Sequence, residues 1–140
     1  MGKSHDRVVA ATLIIMENLT LIIKGELTDL NTYIDAERSN RFAAAKLKKA
    51  ETALVAFSCK QQKLKPVEKI EGIVCTWYTK DKRKDGDNIS FGIKAIYDGL
   101  VVAGILPNDS RKHTGSITHH FAVDPVNPRV EVSLKEEANG

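Results

Sequence analysis

Residues 80–110, KDKRKDGDNISFGIKAIYDGLVVAGILPNDS, set four cations and the aspartate pair Asp85 and Asp87 directly ahead of a helical pattern. Ile89, Ile93, Ile96 and Leu100 recur at steps of four, three and four, the period of a single helix face. Asp87 or Asn88 suits the N-cap and Gly104 the stop, so a helix is expected over 88–103. The preceding residues 67–78, with IEGIVCTWY, are rich in β-branched and aromatic side chains and read as a central strand. A buried strand passing through a polar turn into an amphipathic helix is a unit of sheet-and-helix folds, so this stretch decides the class.

Toward the N-terminus, Pro66 ends a long helix expected from about Glu37 to Gln61. Ala43, Leu47, Ala50, Leu54 and Phe57 are its expected buried stripe. Residues 26–36 have turn chemistry and are expected as a loop, and 19–24 alternate as a first strand with Leu19, Leu21 and Ile23 inward. Toward the C-terminus, 105–110 form a turn, 117–123 a strand, 125–128 a second turn and 129–134 a last strand, with 135–140 frayed. The last two strands are expected to pair as an antiparallel hairpin. The fold class is α/β (α+β): a small mixed sheet packed with two main helices.

A chain of 140 residues with 42% hydrophobic and 28% charged residues suits one globular domain, expected over 16–140. Met16 opens MENLTLIIKGEL in the manner of a start followed by a strand, which makes 1–15 an N-terminal extension. The run VVAATLIIM at 8–16 is far shorter than the roughly 20 apolar residues of a membrane span, and no small-x-small cleavage site follows it. Cys59 and Cys75 have neither scaffold nor zinc-site spacing, which points to a reduced, cytoplasmic setting. Neither G-x-x-x-x-G-K-[ST] nor G-x-G-x-x-G occurs, so no nucleotide cofactor is expected.

On extended backbone, Asp85 and Asp87 would point to one side, and two carboxylates held that close need a cation. Oxygen ligands without His or Cys favour magnesium or manganese, which fits phosphodiester chemistry. Lys94, seven residues after Asp87, would meet a phosphate, and Asp109 would close the site from beyond the helix. A turn with a helix cap and no metal accounts for D-G-D-N equally well. An EF-hand does not, because Arg83 and Gly92 fall where oxygen ligands belong. Asp98 is expected to pair with Lys94 on the helix surface. His119 and His120 face opposite sides of their strand and read as structural or DNA-adjacent. Lys80, Lys82, Arg83 and Lys84, with Lys46, Lys48 and Lys49 on the long helix, form either solvated faces or a phosphate-contacting surface.

The segments D-G-D-N, I-K-A-I-Y-D-G-L and A-G-I-L-P-N-D-S closely resemble the RusA family of Holliday junction resolvases, nearest its phage and prophage branch. LNTYIDAERSNRFAAAKLKKAE resembles the same branch. The resemblance implies a homodimer that uses magnesium or manganese to nick opposed strands of a four-way DNA junction in recombination and repair. By motif it carries the essential aspartates onto Asp85, Asp87 and Asp109 and the catalytic-site lysine onto Lys94. The interval to Lys94 is longer than in the family through ISFGI, and the family's paired acids read Asn108-Asp109 here. The alternative is a branched-DNA-binding module without nuclease activity.

Overall fold

The computed structural model describes residues 19–136, so the expectations for 1–15 and for the last four residues lie outside the described residues. Strand β1 (Thr20–Lys24) leads to helices α1 (Leu30–Ser39) and α2 (Arg41–Gln61), then strand β2 (Ile70–Thr79). A crossover follows, made of α3 (Gly86–Ile89), a 3₁₀ turn (Ser90–Gly92), α4 (Ile93–Val102) and α5 (Arg111–Thr114). Strands β3 (Ser116–Val123) and β4 (Arg129–Glu136) complete a mixed α+β fold.

The sheet order is β1-β4-β2-β3, with β2 and β3 parallel and β4 antiparallel to both β1 and β2. The expected β3–β4 hairpin is therefore not formed. Residues 124–128 instead carry the chain past the end of β2, a lateral step of two strand spacings, roughly 10 Å. That turn is held by Asp124, whose amide donates to the Thr79 carbonyl at 2.8 Å and whose Oδ1 accepts from the amides of Val126 and Asn127. Alternation in β4 is satisfied by either neighbour, but Val130, Val132 and Leu134 are buried only in a central strand.

One face of the sheet carries the core. Leu21 and Ile23, Val132 and Leu134, and Ile73, Cys75 and Trp77 meet Val55 and Cys59 of α2 and Ile96 and Leu100 of α4. Ile89 and Ile93 pack at its margin, so the expected stripe of the crossover helix is borne out. The helix itself is divided, because Gly92 lies against the Trp77 ring and Leu27, where a Cβ would approach Trp77 to 2.9 Å. This close approach is made by the ISFGI interval. Gly104, at φ +76°, ends the region as expected.

The long helix is corrected in two respects. It begins seven residues before Glu37, at Leu30, and breaks at Asn40. The Asn40 amide closes α1 on the Ala36 carbonyl at 2.8 Å, and its Oδ1 accepts from the Phe42 and Ala43 amides at 2.9 and 3.4 Å. The buried face of α2 is Ala44, Val55, Ala56, Ser58 and Cys59, while Leu54 and Phe57 are 42% and 61% exposed. Gly99 of α4 seats directly against Val55 and leaves no space for larger groups, so α2 turns its flank of smaller residues inward.

Candidate active site

After Thr79 the cationic loop folds back on itself. Thr79 Oγ1 donates to the Asp81 carbonyl at 2.7 Å, and Asp81 Oδ1 accepts from the Arg83 amide at 3.0 Å. The four cations then divide. Lys80 and Lys82 are exposed, and Arg83 makes only a 3.6 Å contact with the Asp81 carboxylate. Lys84 is drawn inward, with Nζ 2.8 Å from Asp29 Oδ2 and 3.8 Å from Glu26 Oε1. Asp29 is buried, and its other oxygen caps α1 through the Thr32 amide at 2.8 Å. Burial pushes the Asp29 carboxyl up, but the hydrogen bonds from Lys84 and Thr32 outweigh it and hold the group below its ordinary value. Lys84 is correspondingly raised, first by its hydrogen bond to Asp29.

Asp85 and Asp87 are both exposed at the start of α3. Asp85, not Asp87 or Asn88, holds the N-cap position; its carbonyl accepts from the Asn88 and Ile89 amides, each at 3.1 Å, and its carboxylate makes no capping bond. The extended geometry expected for the pair is not adopted, since Asp87 lies in the first helical turn, where residues two apart diverge. Between them, Gly86 rests on the Phe121 ring of β3, where a Cβ would come within 3.0 Å. Asn88 Oδ1 accepts from the Asn31 amide at 2.9 Å, which ties the aspartate turn to α1.

Asp109 is exposed in the loop after α4. The buried Tyr97 Oη has no hydrogen-bond partner among the described residues. Burial raises the Tyr97 hydroxyl, and the charge of Asp109 adds to the shift. The Thr114 hydroxyl opposes it from nearby, though its own hydrogen bond goes to the Ser110 carbonyl at 3.3 Å. Asp109 is not gathered with the other two aspartates: among the described residues, no group of three or more His, Cys, Asp or Glu side chains is placed to hold a metal. Asp85 and Asp87 remain free oxygen donors, and one or two carboxylates with water are an ordinary protein share of a magnesium site.

Lys94 is exposed and does not pair with Asp98. It lines a cleft with Lys48 of α2, alongside Glu37 and Glu51. Lys46 and Lys49 lie on the exposed surface of α2. The register places His119 beside Cys75 on the core face and His120 beside Thr76 on the other, as their parity requires. The Trp77 indole N–H donates to His119 Nδ1 at 2.9 Å, so a neutral ring carries its proton on Nε2. Burial lowers the pKa of that ring and favours the neutral form. The sequence carries the parity that puts Trp77 and His119 on one face, but it does not show that their strands are neighbours.

Compared with known proteins, the chain matches no family model and no curated protein. Among the described residues no helix is long and apolar enough to cross a membrane.

Proposed function

We propose that the chain is a metal-dependent endonuclease that resolves four-way DNA junctions by paired phosphodiester nicks, as the resemblance to the RusA family implies, acting in the cytoplasm on cellular or phage DNA. The observation that carries this reading is the aspartate turn itself: Asp85 and Asp87 are exposed and directly follow a loop in which Lys80, Lys82 and Arg83 face solvent. Asp85 and Asp87 would hold magnesium or manganese. When bound, such an ion supplies an activated water and a positive charge at the phosphate. The exposed cations would dock the DNA backbone without reading sequence, which makes binding fall steeply with salt. Lys94 would neutralise a phosphate approaching α4.

Paired incision requires two sites, and a homodimer through β3 would supply them. Among the described residues that strand has a neighbour on one side only, and its core-side residues Ile117, Phe121 and Val123 are 47%, 48% and 40% exposed. At the opposite edge the Gln62 amide occupies Ile22, accepting from its N–H at 2.8 Å and donating to its carbonyl at 2.6 Å. A second copy fits β3 because an antiparallel pairing with His120 on the two-fold axis sets Ile117 opposite Val123, on the same face. The strand SITHHFAV carries no Asp, Glu, Lys or Arg to oppose itself across that axis.

Asp87→Asn is expected to reduce nicking of a synthetic four-way junction by roughly a hundredfold or more, the scale on which a lost charge-stabilising group acts. Junction affinity in a mobility-shift assay should be largely kept. Undiminished cleavage by that variant would sink the assignment. The second reading, a branched-DNA-binding module without nuclease activity, is favoured by the lack of a three-carboxylate cluster among the described residues. It predicts junction binding with no magnesium-dependent cutting by the unaltered chain.

A further inference from the structure

A cleft of about 300 Å³ opens between α1, α2 and the 3₁₀ turn, at the lower end of the range for small-molecule sites and far too small for a duplex. Tyr33 of α1, Leu47 of α2 and Phe91 of the 3₁₀ turn line it. The Tyr33 and Phe91 rings touch, with centroids 5.2 Å apart and planes tilted by 38°. Around this aromatic lining stand Lys48, Lys94 and Glu37. None of the three makes an ion pair or side-chain hydrogen bond among the described residues. Glu51 is engaged instead, accepting from both the amide and the hydroxyl of Thr28 at 2.6 Å.

That combination selects a ligand chemistry. Aromatic faces take a flat ring, two ammonium groups take an anion such as phosphate, and one free carboxylate accepts from an amino group. A simple anion would be opposed by Glu37, and an apolar ligand would leave both lysines unused. A single unstacked nucleotide uses all three features, because base stacking on aromatic side chains and phosphate pairing with cations are how single strands are bound. The cleft is also joined to the aspartate turn, since the Asn88 side chain holds the first turn of its α1 wall at 2.9 Å.

We propose that this cleft captures one unpaired nucleotide of branched DNA, with its base against Tyr33 and Phe91 and its phosphates on Lys48 and Lys94. The inference rests on the reading of the chain as a protein of branched DNA.

The test compares two four-way junctions in magnesium-free buffer, one fully paired and one with a single unpaired adenosine at the crossover. The full-length chain is expected to bind the second about tenfold more tightly, within the range of one base stacked on an aromatic side chain. Phe91→Leu and Tyr33→Leu keep apolar bulk and remove stacking, so each should lose most of that preference while binding the paired junction unchanged. Equal affinities in the unaltered chain, or a preference retained in both variants, overturn the proposal. A second measurement needs no junction. Titration with single-stranded dA5 should give saturable shifts of the Tyr33 and Phe91 ring resonances, and their absence overturns the cleft even if junctions are nicked. Saturable shifts in a protein that neither binds nor nicks junctions would support the cleft and overturn the nuclease reading instead.

Discussion

At Lys84, an ammonium group expected to face DNA is held 2.8 Å from the buried Asp29 carboxylate. Asp29 joins three parts of the chain through one side chain: the loop after β2 through Lys84, the start of α1 through Thr32, and its own segment after β1. Removing the cation strands a buried charge. Lys84→Met is therefore expected to lower stability by about 1–2 kcal/mol, below the 3–5 kcal/mol of a fully buried pair because the Lys84 end is partly solvated. Urea unfolding of the two proteins measures the difference. Its pH dependence has a definite sign. The Asp29 carboxyl is lowered from 3.8 by folding, so its contribution is present above that value and is lost as pH falls further through its folded-state value. Lys84 is raised from 10.5, so its contribution is complete below that value and is lost as pH rises through its folded-state value. The gap between variant and parent should hold across neutral pH and close at the acid end. The two cysteines make a simpler contrast: burial pushes Cys59 to about 11 and Cys75 to about 12, which leaves both thiols unreactive in the folded chain.

Among the elements, the pairing of α2 with α4 shows where periodicity stops being informative. Helix α2 has two adjacent stripes, the larger through Leu47, Leu54 and Phe57 and the smaller through Ala44, Val55 and Cys59. Both satisfy a helical repeat. The choice is made by Gly99, which brings the backbone of α4 against Val55 and Ala56 and admits only small groups between the two helices. Gly99→Ala isolates the effect. Helix propensity alone would favour alanine by up to about 1 kcal/mol. The added Cβ meets Val55 and the Ala56 backbone, and overpacking of a filled core costs about 1–3 kcal/mol. A net loss in thermal or urea stability is expected, and a gain would show that the two helices separate readily.

For the molecule as a whole, the unequal sheet edges matter most. Gln62 closes the β1 edge at Ile22, whereas β3 presents both an edge unpaired among the described residues and the ring of Phe121, on which the aspartate turn rests. Phe121→Glu places a charge on that face, and two copies would bring both charges into one interface. The parent is expected to sediment as a dimer and the variant as a folded monomer; a monomeric parent, or a dimer that survives the substitution, rules out β3 as the interface. Much of the architecture was legible locally. Leu21 and Ile23 in β1 and Ile96 and Leu100 in α4 follow the inward pattern read from spacing alone, because that pattern reports which side of each element avoids water. The Gly104 stop was legible because it is backbone chemistry contained within a few residues, whereas the helix start was read two residues late, since Asp85 and not Asp87 or Asn88 holds the cap position. Strand order was not, since the alternation of β4 is the same beside β3 as between β1 and β2. Nor could the sequence show that Lys84 turns inward to Asp29, that Lys94 and Lys48 line one cleft, or that Asp109 does not group with Asp85 and Asp87 to hold a metal. By itself the sequence determined most of the elements and the inward faces of β1 and α4, which depend on contact with water; the tertiary structure decided the inward face of α2, the neighbours of each element and the partners of each charge, which depend on residues far apart in the chain meeting in space.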